Sequence, residues 1–294
     1  MRGVIVPLIT PFKEDLSIDY EGLRRLVDFV IEEMDCDGIV PCGTTGESAT
    51  LSHQEHEDVI RVVVEHTRGR VPIIASTGSN STKEAIELTR RAEELGADAT
   101  LQVGPYYNKP TQQGIFNHFA AIANATKLPM ILYNIPGRTS RNIDPATVVR
   151  LWREIPAVVG IKDASGDLHQ AMEIYQGTDP ATFMLYSGED VMTFSLLCLG
   201  GAGAIAAVAH VVGREVKAMC RAVWEGQLEE ARSIHYSIMG VVDALFVEPN
   251  PTPVKQALEW MGLPAGPLRP PLERLTPAGQ EVLRRTMQAG GWLS

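Results

Sequence analysis

A lysine ends a run of apolar, mostly β-branched residues in the segment VVGIKD, residues 158 to 163. The run predicts a short buried strand, which would place the amine of Lys162 at the rim of a sheet. Burial disfavours the charged form of lysine and lowers its pKa from an ordinary value of about 10.4. A neutral amine attacks carbonyl carbons, so the position favours imine chemistry. The alternative is that the stem packs while the charged head reaches water.

The other six lysines lie in predicted turns or on polar helical segments, where we expect each ammonium group to be solvated. Because none of them ends a buried strand, Lys162 is the lysine that the sequence singles out. The six are Lys13, Lys83, Lys109, Lys127, Lys217 and Lys255.

Two hydroxyl side chains stand between two glycines in the segment GTTGE, residues 43 to 47. Exposed backbone N–H groups in such a loop can hold a carboxylate, and the hydroxyl of Thr44 can pass a proton. An ordinary glycine turn is the alternative. The P-loop pattern is absent from this loop, so it does not indicate nucleotide binding.

A phenol and a guanidinium stand close together in the segment YNIPGRT, residues 133 to 139, after another predicted strand. Tyr133 is suited to proton transfer near an amine. Arg138 is suited to bidentate capture of a carboxylate. Such local attraction is needed if the substrates are carboxylates, because the chain carries a net charge of −10.

Small residues follow the last two predicted strands. Gly188 and the glycines near Ile205 leave room for a small ligand against the backbone, although tight packing alone would explain them equally well. The pair Tyr106 and Tyr107, after the fourth predicted strand, is either a surface patch or an interface and says little by itself.

Metal ions and cofactors are not expected. His53 and His56 are three residues apart, but no cysteine stands nearby and the H-E-x-x-H spacing is missing, so a zinc site is not indicated. The four cysteines show no C-x-x-C spacing and stand among apolar residues. They are expected to be reduced core thiols of a cytoplasmic protein.

A repeat of short apolar strands and amphipathic helices must position these residues. Eight strands alternating with helices predict an α/β fold, a (β/α)8 TIM barrel spanning 1-226, with a C-terminal helical extension at 227-294. In such barrels the active site lies at the carboxyl ends of the strands. The strands are predicted at 3–8, 38–41, 71–76, 99–103, 130–134, 158–162, 183–187 and 203–207.

Composition excludes several classes of protein. At 294 residues and 45% hydrophobic the chain can bury a large core. No run of lysine or arginine offers the positive surface that a nucleic-acid binder needs. No signal peptide or membrane span is expected, because the amino terminus lacks an apolar core and no apolar run approaches about 20 residues.

Taken together, the segments GTTGE, YNIPGRT and GIKD resemble those of the dihydrodipicolinate synthases, within the pyruvate-dependent class I aldolase (N-acetylneuraminate lyase) superfamily. The resemblance covers nearly the whole chain. Arg138 is the most specific of these residues, because sialic acid lyases are similar elsewhere but lack an arginine there. The resemblance implies the condensation of pyruvate with L-aspartate 4-semialdehyde to 4-hydroxy-tetrahydrodipicolinate, in diaminopimelate and lysine biosynthesis.

The resemblance also assigns roles to residues. Lys162 would form the Schiff base with pyruvate, and Tyr133 would shuttle protons with Thr44 and with Tyr107 of a neighbouring subunit. Thr45 and Ile205 would contact pyruvate, and Arg138 the carboxylate of the semialdehyde; Gly188, which leaves room for a small ligand, is expected at the same substrate site. A dimer or tetramer is therefore expected. The positions that match the lysine site of feedback-inhibited members are Ser48, Ala49, His53, His56, Asn80, Glu84 and Tyr106.

Two alternatives remain open from the sequence. One is another class I aldolase or dehydratase that acts on a 2-keto sugar acid and keeps Lys162 and Tyr133. The other is a catalytically silent binding protein for small carboxylates on the same barrel. Arg138 argues against the first, and the combination of amine, phenol and threonine argues against the second.

Overall fold

The computed structural model describes residues 1 to 293, and its strands match the predicted ones closely. The predicted strands 99–103 and 130–134 are found with the same limits, and the largest difference is that 71–76 begins only at Ile74. The strands are β1 (Gly3–Pro7), β2 (Gly38–Val40), β3 (Ile74–Ser76), β4 (Ala99–Val103), β5 (Met130–Asn134), β6 (Val158–Asp163), β7 (Met184–Ser187) and β8 (Gly203–Ile205).

Each strand is followed by at least one helix. The first helix continues as a π-helix over Phe29–Glu33, and short 3₁₀ turns at Ser48–Thr50 and Asp190–Met192 precede two of the helices. The α-helices are α1 (Tyr20–Asp28), α2 (His53–Thr67), α3 (Thr82–Glu94), α4 (Gln112–Ala123), α5 (Pro136–Thr139), α6 (Pro145–Glu154), α7 (Leu168–Gly177), α8 (Thr193–Cys198), α9 (Ala209–Trp224), α10 (Leu228–Ala244), α11 (Thr252–Trp260) and α12 (Pro277–Gly290).

The strand order is that of a (β/α)8 barrel. The eight strands form one sheet in the order β2, β1, β8, β7, β6, β5, β4, β3, so β1 lies next to β2, and each strand from β3 to β7 lies next to the strand that follows it in sequence. Parallel neighbours need a crossover helix between them, which the alternation provides. The predicted fold class is confirmed, including the helical carboxyl-terminal segment, which contains α10, α11 and α12.

Local sequence signals explain the helix starts. Ser52 and Glu55 form the capping box that their S-x-x-E spacing predicts for α2, with the Ser52 side chain accepting from the Glu55 N–H and the Glu55 side chain accepting from the Ser52 N–H. Asp144 directly before Pro145 is a pattern that predicts a capping aspartate at the start of α6, but this prediction is wrong, because the Asp144 side chain makes no hydrogen bond to the first turn. Its carboxylate instead accepts from Asn142 Nδ2 at 3.1 Å.

The chain divides into two compact units, Met1–Arg2 with Pro72–Ile205 and Gly3–Val71 with Ala206–Ser294. The predicted boundary between 226 and 227 is a different division and stays a prediction. Within residues 1 to 293, no helix combines the length and the apolar character needed to cross a bilayer.

In the first unit, the two faces of the sheet carry different residues. Leu132 of β5, Ile161 of β6 and Leu185 of β7 join one apolar cluster with residues of α4, α6 and α7. Successive residues of a strand point to opposite faces. Tyr133 and Lys162, each one residue further along, therefore face the side of the sheet away from those helices.

In the second unit, α9 packs on β1, and α10 packs on both α9 and α12. His210 of α9 is fully buried, and its Nε2 accepts from the N–H of Ile9 at 3.3 Å. Burial lowers the pKa of His210 to about 4, so the ring is neutral and can accept this bond.

Candidate active site

The candidate nucleophile lies at the carboxyl end of β6, as predicted. Lys162 is directly opposite Tyr133 of β5 in the register of the sheet. Its Nζ lies 4.3 Å from the centroid of the Tyr133 ring. Lys162 is only 7% exposed, so the alternative in which its head reaches water is wrong.

Burial makes Lys162 chemically unusual. The pKa of the amine is lowered from 10.5 to about 8, mainly by burial and in smaller part by the charge of Arg138, while the carboxylates of Asp190 and Glu189 oppose the shift. Desolvation is the largest of these effects because a buried ammonium loses its hydration. Close to neutral pH, a useful fraction of the amine is therefore free to attack a carbonyl carbon.

Gly188 leaves the space that the lysine side chain occupies. A Cβ at this position would stand 2.8 Å from Cγ and 2.9 Å from Cε of Lys162, and 3.0 Å from Cβ of Ala164. Any larger residue would push the lysine stem aside. Gly188 therefore lies against the nucleophile, and the lack of space for a Cβ explains why a glycine stands at this position.

A buried hydrogen-bond network holds the ends of the strands in place. The Asp163 carboxylate accepts from Ser165 Oγ at 2.7 Å, from Asn134 Nδ2 at 3.1 Å and from Gln170 Nε2 at 3.3 Å. The N–H of Gly188 donates to the Asp163 carbonyl at 2.7 Å. The network ties together β5, β6 and the end of β7, and it thereby fixes Lys162 and Tyr133 on the other face.

Arg138 and Ile205 belong to the same unit as Lys162. Arg138 lies exposed in the short helix α5, close enough to Lys162 to influence its pKa. Pro136 opens this helix and places the guanidinium two residues later. Ile205 is buried at the end of β8.

The hydroxyl loop that follows β2 is a tight turn in the other unit. The N–H groups of Gly46 and Ser48 donate to the Gly43 carbonyl, and that of Glu47 donates to the Thr44 carbonyl. These three N–H groups are used inside the turn, so the backbone candidates for holding a carboxylate are those of Thr44 and Thr45. Thr44 is half-buried and Thr45 is buried. Their approach to Lys162 stays a prediction.

The loop is anchored by a buried ion pair that the sequence analysis missed. Lys255 Nζ donates to Glu47 Oε1 at 2.7 Å, to the Pro267 carbonyl at 2.7 Å and to the Thr10 carbonyl at 3.2 Å. Lys255 is only 2% exposed, so the expectation that its ammonium group is solvated is wrong. Burial lowers its pKa, and the nearby Glu47 carboxylate opposes that shift.

A second anchor comes from the residue that precedes α11 by two positions. Asn250 Nδ2 donates to Thr45 Oγ1 at 2.9 Å, and both residues are buried. The sequence offered one weak signal for these anchors. Glu47 is an acidic residue in a segment of otherwise small residues, and a carboxylate that such a segment buries requires a partner.

Tyr107 projects into solvent. It is 90% exposed, and its φ of +71° is in the left-handed region, which is unusual for an aromatic residue. The neighbouring Tyr106 is 39% exposed, and its carbonyl accepts from the N–H of Asn108 at 2.8 Å. One chain alone therefore does not bury the Tyr107 phenol.

The predicted lysine-site residues are divided between the two units. In one, Ser48 and Ala49 form part of a 3₁₀ turn, and His53 and His56 follow in the first turns of α2. The other contains Asn80, Glu84 and Tyr106, and there the Glu84 carboxylate accepts from Ser79 Oγ. That all seven residues form one site stays a prediction.

The cysteines and the potential metal ligands were located in the structure to test the expectations for them. Cys36, Cys42 and Cys220 are buried as expected, whereas Cys198 is exposed, contrary to the expectation of a core thiol. It is the last residue of the short helix α8 and begins the exposed stretch 198–200. In the part of the chain from 1 to 293, no group of three histidine, cysteine or acidic residues is arranged to hold a metal ion.

Comparison with known proteins gives a consistent result. The model of the dihydrodipicolinate synthetase family matches residues 1 to 290. The chain is 48% identical over 292 residues to the 4-hydroxy-tetrahydrodipicolinate synthase of Nitratidesulfovibrio vulgaris, covering 99% of this chain and 98% of that protein.

Two solved structures are similar over nearly their whole length. The dihydrodipicolinate synthase of Cyanidioschyzon merolae with lysine bound has a TM-score of 0.96 and 46% identity, covering 99% of this chain and 98% of that one. The chloride-inhibited enzyme of Acinetobacter baumannii, complexed with pyruvate, has a TM-score of 0.95 and 42% identity, covering 99% of both chains.

Proposed function

The chain belongs to the dihydrodipicolinate synthetase family, and from this premise we propose that it condenses pyruvate with L-aspartate 4-semialdehyde through a Schiff base on Lys162. The product is 4-hydroxy-tetrahydrodipicolinate, in diaminopimelate and lysine biosynthesis, and the enzyme is a lyase. The observation that carries the mechanism is the buried amine of Lys162, which lies beside the Tyr133 ring and has a pKa lowered to about 8.

The lowered pKa has a direct effect on the first step. At pH 7, an amine with a pKa of about 8 is roughly one-tenth neutral, whereas one with the ordinary value is neutral in about one molecule in 3,000. Nζ attacks the keto carbon of pyruvate, and loss of the former keto oxygen as water leaves the imine. Loss of a proton from the methyl carbon gives the enamine, which forms a carbon–carbon bond with the aldehyde carbon and leaves an imine on Lys162 again. The amino group of the semialdehyde then adds to that imine carbon, which closes the ring and expels the Lys162 amine.

Proton transfer in these steps is assigned to hydroxyl groups. Tyr133 stands beside the amine, so its phenol is placed to protonate the departing hydroxyl group and later to take a proton back. Thr44 and Tyr107 complete the relay. Thr45, Ile205 and Gly188 hold pyruvate, and Arg138 binds the carboxylate of the semialdehyde by a bidentate contact.

Tyr107 acts from a neighbouring subunit. Its 90% exposure in the single chain supports this assignment, because a relay needs the phenol shielded from bulk water. The enzyme is therefore a homodimer, or a homotetramer made of two such dimers. Residues 1-226 form the catalytic barrel and residues 227-294 the helical extension.

Lysine is the feedback inhibitor of this enzyme. The lysine-bound relative from Cyanidioschyzon merolae supports this role. The site consists of the seven residues predicted above. His56 is buried in α2, and His53 is exposed one turn earlier. A lysine titration that leaves activity unchanged would refute the inhibition.

Acceptor choice is tested by steady-state kinetics with aspartate 4-semialdehyde and with 2-keto sugar acids. Turnover is expected only with the semialdehyde. Arg138→Ala should raise the KM for the semialdehyde by about 10- to 100-fold, because a charge-assisted bond contributes roughly 1.5 to 3 kcal/mol. Arg232→Ala, at an exposed arginine paired with Glu229, serves as the control. Preference for a sugar acid would contradict the proposal.

A further inference from the structure

The hydroxyl of Thr45 receives a hydrogen bond from a residue far along the chain. Asn250 Nδ2 donates to Thr45 Oγ1 at 2.9 Å across 205 residues of sequence. Both side chains are buried, Thr45 at 3% exposure and Asn250 at 8%. The bond therefore forms away from bulk water, where hydrogen-bond direction has a larger effect on energy.

The loop that contains Thr45 is fixed on both sides of this bond. Thr10 Oγ1 donates to the Gly46 carbonyl at 2.7 Å. Glu47 is held at one carboxylate oxygen by Lys255 Nζ and at the other by the N–H of Arg269, at 2.9 Å. Thr45 is thus presented to Asn250 by a backbone that has little freedom to move.

The direction of the bond decides what Thr45 offers to a ligand. An amide nitrogen can only donate, so Thr45 Oγ1 is the acceptor and keeps its own proton for another partner. A hydroxyl that keeps its proton can donate to a carboxylate. A hydroxyl that had already donated its proton would present only lone pairs and would repel one.

We propose that Asn250 is a positioning residue that acts through Thr45: it accounts for one acceptor site of the hydroxyl and so directs the hydroxyl proton toward the carboxylate of the 2-keto acid. This inference rests on the proposed function, in which Thr45 contacts pyruvate. It gives the carboxyl-terminal segment a role in substrate affinity, since Asn250 and Lys255 both hold the hydroxyl loop from there.

The test is the pyruvate concentration needed for half-maximal borohydride trapping of the purified full-length enzyme. Asn250→Ala removes the directing bond and should raise this concentration by about 3- to 10-fold, the effect of one neutral hydrogen bond. Asn250→Asp should raise it by about 10- to 100-fold, because the carboxylate takes the Thr45 proton. Asn117→Ala, at an exposed asparagine of α4, should change nothing.

A role in packing predicts the opposite order. Aspartate has the shape of asparagine, so it would then disturb affinity less than alanine does. A double-mutant cycle adds a second readout: in the Thr45→Val background, Asn250→Ala should have less than about a twofold further effect, because the group it acts through is gone. If the alanine variant does not fold, the aspartate variant decides alone: a rise of at least about tenfold in the half-maximal concentration supports the inference, and a smaller rise overturns it.

The inference is overturned if aspartate is milder than alanine, if both leave the half-maximal concentration within about twofold of the unsubstituted enzyme, or if the effects at positions 45 and 250 are additive. Failure of the proposed function looks different. In that case the unsubstituted enzyme would show no pyruvate-dependent trapping, and this inference would fall with it.

Discussion

Substituting Lys255 by methionine should destabilise the protein strongly. Methionine keeps most of the side-chain volume but removes the charge and all three hydrogen bonds of Nζ. The Glu47 carboxylate, with a side chain only 1% exposed, is left with the N–H of Arg269 as its donor. Removing one partner of a buried ion pair costs about 3 to 5 kcal/mol, equivalent to a fall in melting temperature of roughly 6 to 10 °C.

A substitution of Glu47, the other member of the ion pair, tests whether the loss of stability comes from its unpaired charge. In the double variant Glu47→Gln with Lys255→Met, no buried charge remains, and the glutamine amide can donate to a carbonyl that the lysine served. At least half of the lost stability should therefore return. Lys83→Met is the matched control, because Lys83 is 86% exposed and stands 3.8 Å from Glu87, a contact worth well under about 1 kcal/mol.

Thermal unfolding followed by circular dichroism measures all four proteins under one condition. The reasoning is refuted if Lys255→Met is as mild as Lys83→Met, or if the double variant is no more stable than the Lys255→Met single variant. Either result would mean that the pair does not stabilise the loop through its charges.

Three further predictions concern the nucleophile and the assembly. The initial rate of borohydride trapping at low pyruvate should rise about tenfold between pH 7 and 9, because deprotonation through a pKa of about 8 frees the amine. Asp190→Asn removes a carboxylate that raises the pKa of Lys162, so it should move the midpoint of this profile to lower pH. An unmoved midpoint would contradict the prediction. Gly188→Ala should reduce the trapping rate by about tenfold or more while the fold is retained, because the new Cβ would stand 2.8 Å from the Lys162 side chain. Gly240→Ala is the control and should leave the trapping rate unchanged, because the nearest atom to its new Cβ is 3.5 Å away. Specific activity should fall on dilution in step with the loss of dimers seen by analytical ultracentrifugation, because Tyr107 comes from the partner; full activity in a proven monomer would exclude this.

The fold and the nucleophile were predictable because their signals are local. Eight apolar runs alternating with amphipathic segments require a parallel sheet, and each run is short enough to read without knowing its neighbours. Lys162 stood out for a similar reason, since it directly follows buried β-branched residues in its own strand. Its register opposite Tyr133 followed from two neighbouring strands ending at the same rim.

The anchors of the hydroxyl loop were not predictable because their partners are remote. Lys255 lies in a helix of mixed polarity, and its burial depends on Glu47, 208 residues earlier. The bond from Asn250 to Thr45 likewise spans 205 residues. No periodicity within one segment reveals such pairs. The available clue was Glu47, an acidic residue among small residues. It indicates that a partner is needed, but it does not indicate which residue is the partner.

The central claim is that a desolvated Lys162 forms an imine with pyruvate. Incubation with pyruvate and sodium borohydride, followed by mass spectrometry of the intact protein and of its peptides, tests it most directly. The account predicts one added 1-carboxyethyl group per chain, located on the Nζ of Lys162, and no addition in Lys162→Ala. Labelling at another lysine, or an unmodified Lys162 after exhaustive reduction, would contradict it.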